Sequence, residues 1–252
     1  MNLLLWGVFP YLVVLVLVGG LIWRYRYDQF GWTTRSSQLY ESRLLKIASP
    51  LFHFALIAVL MGHIVGLLIP KAFTDWIGLS QHNYHLGAFW GGGLAGVALI
   101  VGLALLIWRR RTTGAVFKAT TWNDKLMYLV LATAIGLGMV ATLTGDKTAS
   151  GAEHNYRETV SVWFRSLFTF QPDLEAMAAA TWQFQVHVVI GLTLFAIIPF
   201  TRLVHAFSAP FHYLFRPYVV YRSRDVRPAH SATVKGRGWD PIGTRDNQKT
   251  PR

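Results

Sequence analysis

The sequence predicts an all-α integral membrane protein with five transmembrane helices. Three observations lead there. Of the 252 residues, 53% are hydrophobic and only 14% charged, where a soluble domain carries about a quarter charged residues. The apolar residues gather into five blocks, each near the roughly 20 residues that cross a hydrocarbon layer. The Lys and Arg residues, finally, sit almost entirely in alternate connections between those blocks.

Taken in order, Leu3–Trp23 is the first span, uncharged throughout, with Pro10 expected to kink it. A basic loop follows, holding Arg24, Arg26, Arg35, Arg43 and Lys46. The second span, Ile47–Ile69, ends at Pro70, which cannot continue a helix interior. The loop Lys71–Tyr84 leads to the third span, His85–Trp108, which opens on FWGGGLAG and stops at Arg109, Arg110 and Arg111. A short loop with Lys118 and Lys125 precedes the fourth span, Leu126–Thr144. Within Gly145–Ala180, Val160, Trp163, Phe164 and Leu167 recur at i, i+3, i+4, i+7, with Ser161, Arg165 and Ser166 opposite. That is the pattern of an amphipathic helix anchored in the outer interface. The fifth span, Trp182–Phe207, completes a transmembrane domain over residues 1–207. Residues 208–252 form a basic tail, rich after Arg222 in Gly, Pro, Ser, Thr and Asp, whose composition favours disorder until a partner is present. Gly62/Gly66 and Gly92/Gly96 are small-xxx-small pairs, which permit close helix approach; Gly62 and Gly66 also flank His63, where missing side chains would make room for a flat macrocycle.

Orientation follows from the basic residues. The first and third loops and the tail, with Arg202 at its edge, hold 20 of the 24 Lys and Arg; the other two connections hold 4. By the positive-inside rule the N-terminus lies outside and the C-terminus is cytoplasmic. This topological reading accounts for the net charge of +12 without a nucleic-acid partner. Met1-Asn2 offers no basic n-region and the first apolar run is too long for an h-region, so no cleavable signal peptide is expected. The chain has no cysteine, which excludes disulfides, thiolate-bound iron–sulfur clusters and covalently attached c-type haem.

The second span carries His53 and His63, and the fifth His187 and His205, with no Asp, Glu or Lys on either. Titratable groups inside spans are costly and mark functional sites. Neutral imidazoles without carboxylates fit metal ligation, and two per iron fill both axial positions of a haem. The two spans run antiparallel, which pairs His53 with His205 near the cytoplasmic side and His63 with His187 nearer the outside. Read as one continuous helix, the fifth span separates its histidines by about 27 Å, against about 15 Å in the second, a mismatch of about 6 Å at each end. Eighteen residues is five whole turns, so His187 and His205 would share one helix face. The reading is two haems held between the second and fifth helices; a haem-free transporter with a histidine relay is the alternative from another class. Arg202, one turn before His205, is placed to neutralise a haem propionate. His85 lies at the outer mouth of the third span, at the depth of the His63/His187 pair, while His82, His154, His212 and His230 read as solvated or interfacial.

At RYRYDQFGWTTRSSQ, LFHFALIAVLMGHIVGLLIP, FWGGGLAGVALIVGLALLIWRRR and VHVVIGLTLFAIIPFTRLVHAFSAPFHYL, the sequence resembles the gamma subunit, cytochrome b, of the respiratory nitrate reductases. The resemblance implies five spans with the N-terminus outside, in a prokaryotic cytoplasmic membrane. It implies two b-type haems on His53, His63, His187 and His205, and oxidation of a quinol near the outer one. Electrons would then pass to an iron–sulfur beta subunit and a molybdenum alpha subunit that reduces nitrate. Where the family commonly has a Lys ahead of the glycine-rich start of the third span, this chain reads QHNYHLGAFWGGG, so His85, or else His82, would take the quinol contact. The tail beyond about Arg224 is longer than the family needs and is expected to dock the soluble subunits. The cytochrome b subunit of another membrane molybdoenzyme or sulfur-metabolising oxidoreductase is the alternative within this class.

Overall fold

The computed structural model describes residues 1–28, 37, 40–145, 147 and 154–207. Among these the regular elements are all helical: α1 Phe9–Tyr27, α2 Leu45–Leu68, α3 Lys71–Trp76, α4 Gln81–Thr112, α5 Gly114–Lys118, α6 Trp122–Thr144, α7 Val160–Ser166, α8 Leu174–Ala178 and α9 Trp182–Ile197. Five helical stretches are long and apolar enough to cross a membrane: Leu3–Tyr27, Leu45–Leu68, Gln81–Thr112, Trp122–Thr144 and Trp182–Phe200. The basic tail assigned to 208–252 lies outside the described residues.

Local chemistry sets the ends of these helices. Pro10 brings no N–H to the carbonyl of Trp6, and the chain ahead of it, Leu3–Val8, winds as a π-helix. The Trp6 carbonyl accepts the indole N–H of Trp163 at 2.9 Å instead, the kind of replacement that lets proline persist in a span. Ile69 turns to extended backbone before Pro70 and ends α2. The third span exceeds its expected limits by a turn at each end: Ser80 caps α4, and its 32 residues rise about 48 Å. The fourth span likewise begins at Trp122 rather than Leu126, because Thr121 and Asp124 form a capping box.

The fifth span departs most from expectation. It is not one helix to Phe207. Pro199 removes a donor near the end of α9, Ile198–Phe200 tightens to a 3₁₀ turn, Thr201 is extended, and Arg202–Phe207 forms a second 3₁₀ segment. Three carbonyls at the break find donors. Arg24 Nη1 reaches Pro199 O at 2.9 Å, Asn123 Nδ2 reaches Phe200 O at 2.6 Å, and the amide of Thr201 returns to Ile198 O. Gly20 on α1 lets Pro199 seat against it; a Cβ there would lie 2.7 Å from the proline ring.

Neighbouring helices pack in the order α2, α4, α6, α9, α1. Phe52, Ala55, Leu99, Leu103 and Leu131 make the core between α2, α4 and α6. The close approach of α2 and α4 rests on Gly102, where a Cβ would meet the backbone of Phe52 at 2.8 Å. The pairs expected to serve that purpose do not. Gly62 and Gly92 have no neighbour within 4 Å, Gly96 meets the flexible tip of Met139, and Gly66 makes room for the hydroxyl of Tyr156. By contrast, α2 and α9 do not pack along their lengths.

The amphipathic helix is present as α7 but is not a free interfacial anchor. Val160, Ser161 and Trp163 are all buried. Its supposed solvent face caps α2: Ser161 Oγ donates to Gly66 O at 2.7 Å and Arg165 Nη1 to Leu67 O at 3.0 Å. These carbonyls lie in the last turn of α2, where the helix supplies no donors of its own. With Trp6, Met177 and Ala180, α7 closes one end of the bundle, called the cap end below. The other, basic end carries Arg24, Arg109, Arg110, Lys125 and Arg202.

Candidate functional site

Two pairs of imidazoles face each other between α2 and the fifth span, one partner on α9 and the other on the Arg202–Phe207 segment. At the basic end the rings of His53 and His205 stand with centroids 6.2 Å apart and planes at 64°. At the cap end His63 and His187 are 6.0 Å apart with planes at 39°. The break after Ile198 removes the expected arrangement of His187 and His205 on one helix face. It also removes the premise of the 27 Å separation, because His205 sits on a redirected 3₁₀ segment rather than five turns along α9.

Three of the four rings are oriented by their own backbone. His53 Nδ1 bonds the carbonyl of Ser49 at 2.7 Å, His63 Nδ1 that of Val59 at 2.8 Å, and His205 Nδ1 that of Arg202 at 2.5 Å. A carbonyl only accepts, so each Nδ1 carries the proton and each Nε2 the lone pair. Metal-ligating histidines are typically held in this way. His187 differs: its Nδ1 is buried and has no hydrogen-bond partner of good geometry among the described residues. Its ring is placed by packing, with Cε1 only 2.9 Å from where a Cβ on Gly138 would be. Among the described residues no group of three or more His, Cys, Asp or Glu side chains could hold a metal ion. Two imidazoles are too few for a bare ion, but they suit a metal whose other positions are filled by a planar macrocycle. Gly62, Gly136 and Gly191, on α2, α6 and α9, each have open space where a side chain would be.

His85 lies at the start of the second turn of α4, exposed, its ring roughly parallel to Phe89 at 6.3 Å. No hydrogen bond or ring contact among the described residues joins it to His63 or His187. His82 is exposed as well. Arg202 donates through Nε to Asp124 Oδ1 at 2.7 Å, so only its terminal nitrogens are left for the propionate contact expected of it.

Several residues that organise the site were not singled out by the sequence. Asp124 takes Arg202 on one oxygen and, on the other, Arg110 Nη1 at 3.9 Å; the T-x-x-D spacing of its capping box was the available signal. Arg109, counted as a loop charge, is buried against Glu41 and the carbonyl of Ser37. At the cap end Arg157 is 1% exposed, lies 3.9 Å over the ring of Tyr84, and donates to Thr74 Oγ1. Tyr84 and Tyr156 share a hydroxyl–hydroxyl bond of 2.9 Å. Burial, with that bond second, pushes the Tyr156 phenol far above its ordinary range. A separate, partly open cavity of about 420 Å³ is lined by Thr144, Lys147, Thr181, Trp182 and Gln183, the last of them one turn before His187.

The fold and site together define a class: a five-span helical membrane protein with two opposed histidine pairs at different depths. The comparisons narrow it. The family model for the nitrate reductase gamma subunit matches residues 2–224. The chain is 42% identical over 221 residues to the nitrate reductase gamma chain of Bacillus subtilis, covering 88% of this chain and 98% of that one. It is 33% identical over 225 residues to the respiratory nitrate reductase 2 gamma chain of Escherichia coli, covering 89% and 98%. The nitrate reductase-like protein NarX of Mycobacterium tuberculosis is 56% identical over 243 residues, which is 95% of this chain; the chain spans 36% of that protein's length. This chain belongs to the nitrate reductase gamma-subunit family.

Proposed function

We propose that this chain is the quinol-oxidising membrane cytochrome b subunit of a nitrate reductase complex, binding two b-type haems. His53 and His205 would hold the inner haem, His63 and His187 the outer one. The observation that carries the reading is the matched pair of imidazole pairs. An iron bonded to two facing imidazoles at about 2 Å each sets their ring centres roughly 6 Å apart, and the two separations are 6.2 and 6.0 Å. A haem held by two protein imidazoles would supply one-electron transfer rather than chemistry on a bound molecule.

The chain's own residues do the rest. Backbone carbonyls fix the tautomer at three ligands, and glycines on α2, α6 and α9 keep side chains out of the space beside them. The basic end faces the cytoplasm by the positive-inside rule. It is there that an iron–sulfur beta subunit, itself joined to a molybdenum alpha subunit, would dock, with the 208–252 tail contributing. The quinol is oxidised at the cap end, with His85 as its assigned contact. The cavity beside Lys147 and Gln183 is the competing entrance.

A pyridine haemochrome assay on the purified chain, with a reduced-minus-oxidised spectrum, tests the reading. Two b-type haems per polypeptide, reducible by a quinol analogue, are expected; a folded chain without haem under haem-replete growth would overturn it. His85→Ala then separates the entrances. A raised KM for quinol with both haems intact supports the His85 contact; a KM unchanged in both His85→Ala and His82→Ala moves the site to the cavity.

A further inference from the structure

We infer that Asp124 is a positioning residue for His205, and that it sets the electronic properties of the inner haem from outside the ligand set. The inference rests on the proposed role of His205 as an inner-haem ligand. It goes beyond that role in assigning a function to a carboxylate on a different helix.

His205 does not ride on a continuous helix, so its position depends on what holds the segment Arg202–Phe207. That segment is short, and a 3₁₀ run of this length has weak internal hydrogen bonding. Two anchors hold the residues before it, Arg24 on Pro199 O and Asn123 on Phe200 O. The segment itself is tied through its first residue, Arg202, whose Nε bonds Asp124 Oδ1 at 2.7 Å. The same Arg202 presents its backbone carbonyl to His205 Nδ1. One residue therefore carries both ends of the linkage: its guanidinium is fixed by Asp124, and its carbonyl fixes the imidazole.

Asp124 is well placed to act as the fixed point. It is 6% exposed and sits in the first turn of α6, where its Oδ2 accepts the Thr121 N–H at 3.0 Å within the capping box. Arg110 of α4 approaches the same Oδ2 at 3.9 Å, and Arg110 is itself held by Thr120 Oγ1 and lies over the ring of Tyr128. One carboxylate thus joins α4, α6 and the His205 segment while balancing two buried or half-buried cations. Among the described residues no carboxylate linkage of this kind reaches His187, whose helix is continuous through that residue. A carboxylate in this position has two effects on a metal bound at Nε2. It orients the ring through Arg202, and its negative charge favours the oxidised metal, partly offset by the two arginines.

The test uses the intact chain in membranes. Asp124→Asn keeps an acceptor for the capping box and removes the charge; Asp124→Glu keeps the charge. Each is measured by haem content, by redox titration and by electron paramagnetic resonance of the ferric haems. For Asp124→Asn we expect both haems to be retained. The inner one should be several-fold more reduced at a fixed ambient potential, with a shifted low-spin signal, and the outer one unchanged. Asp124→Glu should restore the potential more fully than the signal shape. If Asp124→Asn fails to insert, Arg202→Gln leaves the α6 cap intact and should shift the inner haem in the opposite sense, towards the oxidised form. An inner haem unmoved in both potential and signal by these variants, or both haems moving together, overturns the inference. His205→Ala in the same series tells that failure from failure of the haem reading: if it removes neither haem, the ligand assignment is wrong, whatever Asp124 does.

Discussion

The two histidine pairs use the same residue types at nearly the same separation, yet the chain holds them by different means. At the basic end His205 is carried on a broken, redirected segment and is braced by polar contacts: Arg24, Asn123, and Arg110 through Asp124 to Arg202. At the cap end His187 stands on an unbroken helix, with no well-formed hydrogen bond at Nδ1 among the described residues, and is packed against Gly138; Trp6, Trp163, Met177 and Phe184 cluster at the same end of the bundle. Similar ring geometry therefore does not imply a similar response to change. Charge substitutions should act on the basic-end pair alone; added bulk should act on the cap-end pair directly at the ring, and on the basic-end pair only through the break.

The largest effect comes from removing a ring. His205→Ala should lose the inner haem and retain the outer, and His187→Ala the reverse, each halving the haemochrome yield of inserted protein. Loss of both haems from either folded variant would break the depth pairing. Next comes bulk. Gly138→Val places atoms where the His187 ring now lies, since even a Cβ would be 2.9 Å from Cε1. It should deplete the outer haem selectively. Gly20→Val pushes on Pro199, where a Cβ would be 2.7 Å away, and should disturb the inner haem through the break. Equal loss of both haems in both variants would erase the distinction between the ends.

Legibility in the sequence divides along the same line. The five spans, with His53, His63 and His187 on them, could be read from apolar runs, because a bilayer imposes length and neutrality on any helix that crosses it; His205 lies past the end of the fifth run, after Arg202. The break at Pro199 was in plain view as IIPFTRL but read as part of a continuous span, since proline is tolerated in membrane helices when neighbours satisfy the freed groups. Those neighbours, Arg24 and Asn123, are 175 and 77 residues away in sequence. Counting Arg109, Arg110 and Arg202 as positive-inside charges gave a topology and hid their pairing with Glu41 and Asp124. In the cap, period alone identified α7 as amphipathic but could not say that its polar face would meet the unsatisfied carbonyls of α2 rather than water.

A smaller effect tests that last point. Ser161→Ala removes the donor to Gly66 O in a fully buried setting. Leaving that carbonyl without its partner should cost about 1–3 kcal/mol, seen as a lower midpoint of thermal unfolding in detergent. The inner-haem spectrum should not change. A wild-type midpoint in Ser161→Ala would mean that the cap contributes little to holding the end of α2.

The smallest expected effect is a pH dependence confined to the cap. His154 lies in the segment before α7, half-buried against Phe184, with Nδ1 towards Gly145 O at 3.1 Å and Nε2 towards Thr159 Oγ1 at 3.1 Å. Burial lowers its pKa below the ordinary value of 6.5, and the bond to Gly145 offsets this only in part. The folded state thus binds this proton less readily than the unfolded chain does. Its contribution to stability is complete above the unfolded value and is lost as pH falls below it, because the unfolded chain takes up the proton first. The unfolding midpoint of the wild type should therefore decline slightly from pH 7 to pH 5, and His154→Gln should flatten that slope without altering either haem. A slope that survives the substitution would assign the acid sensitivity elsewhere. One that disappears would make the cap, and not the ion-paired basic end, the acid-labile half in this pH range.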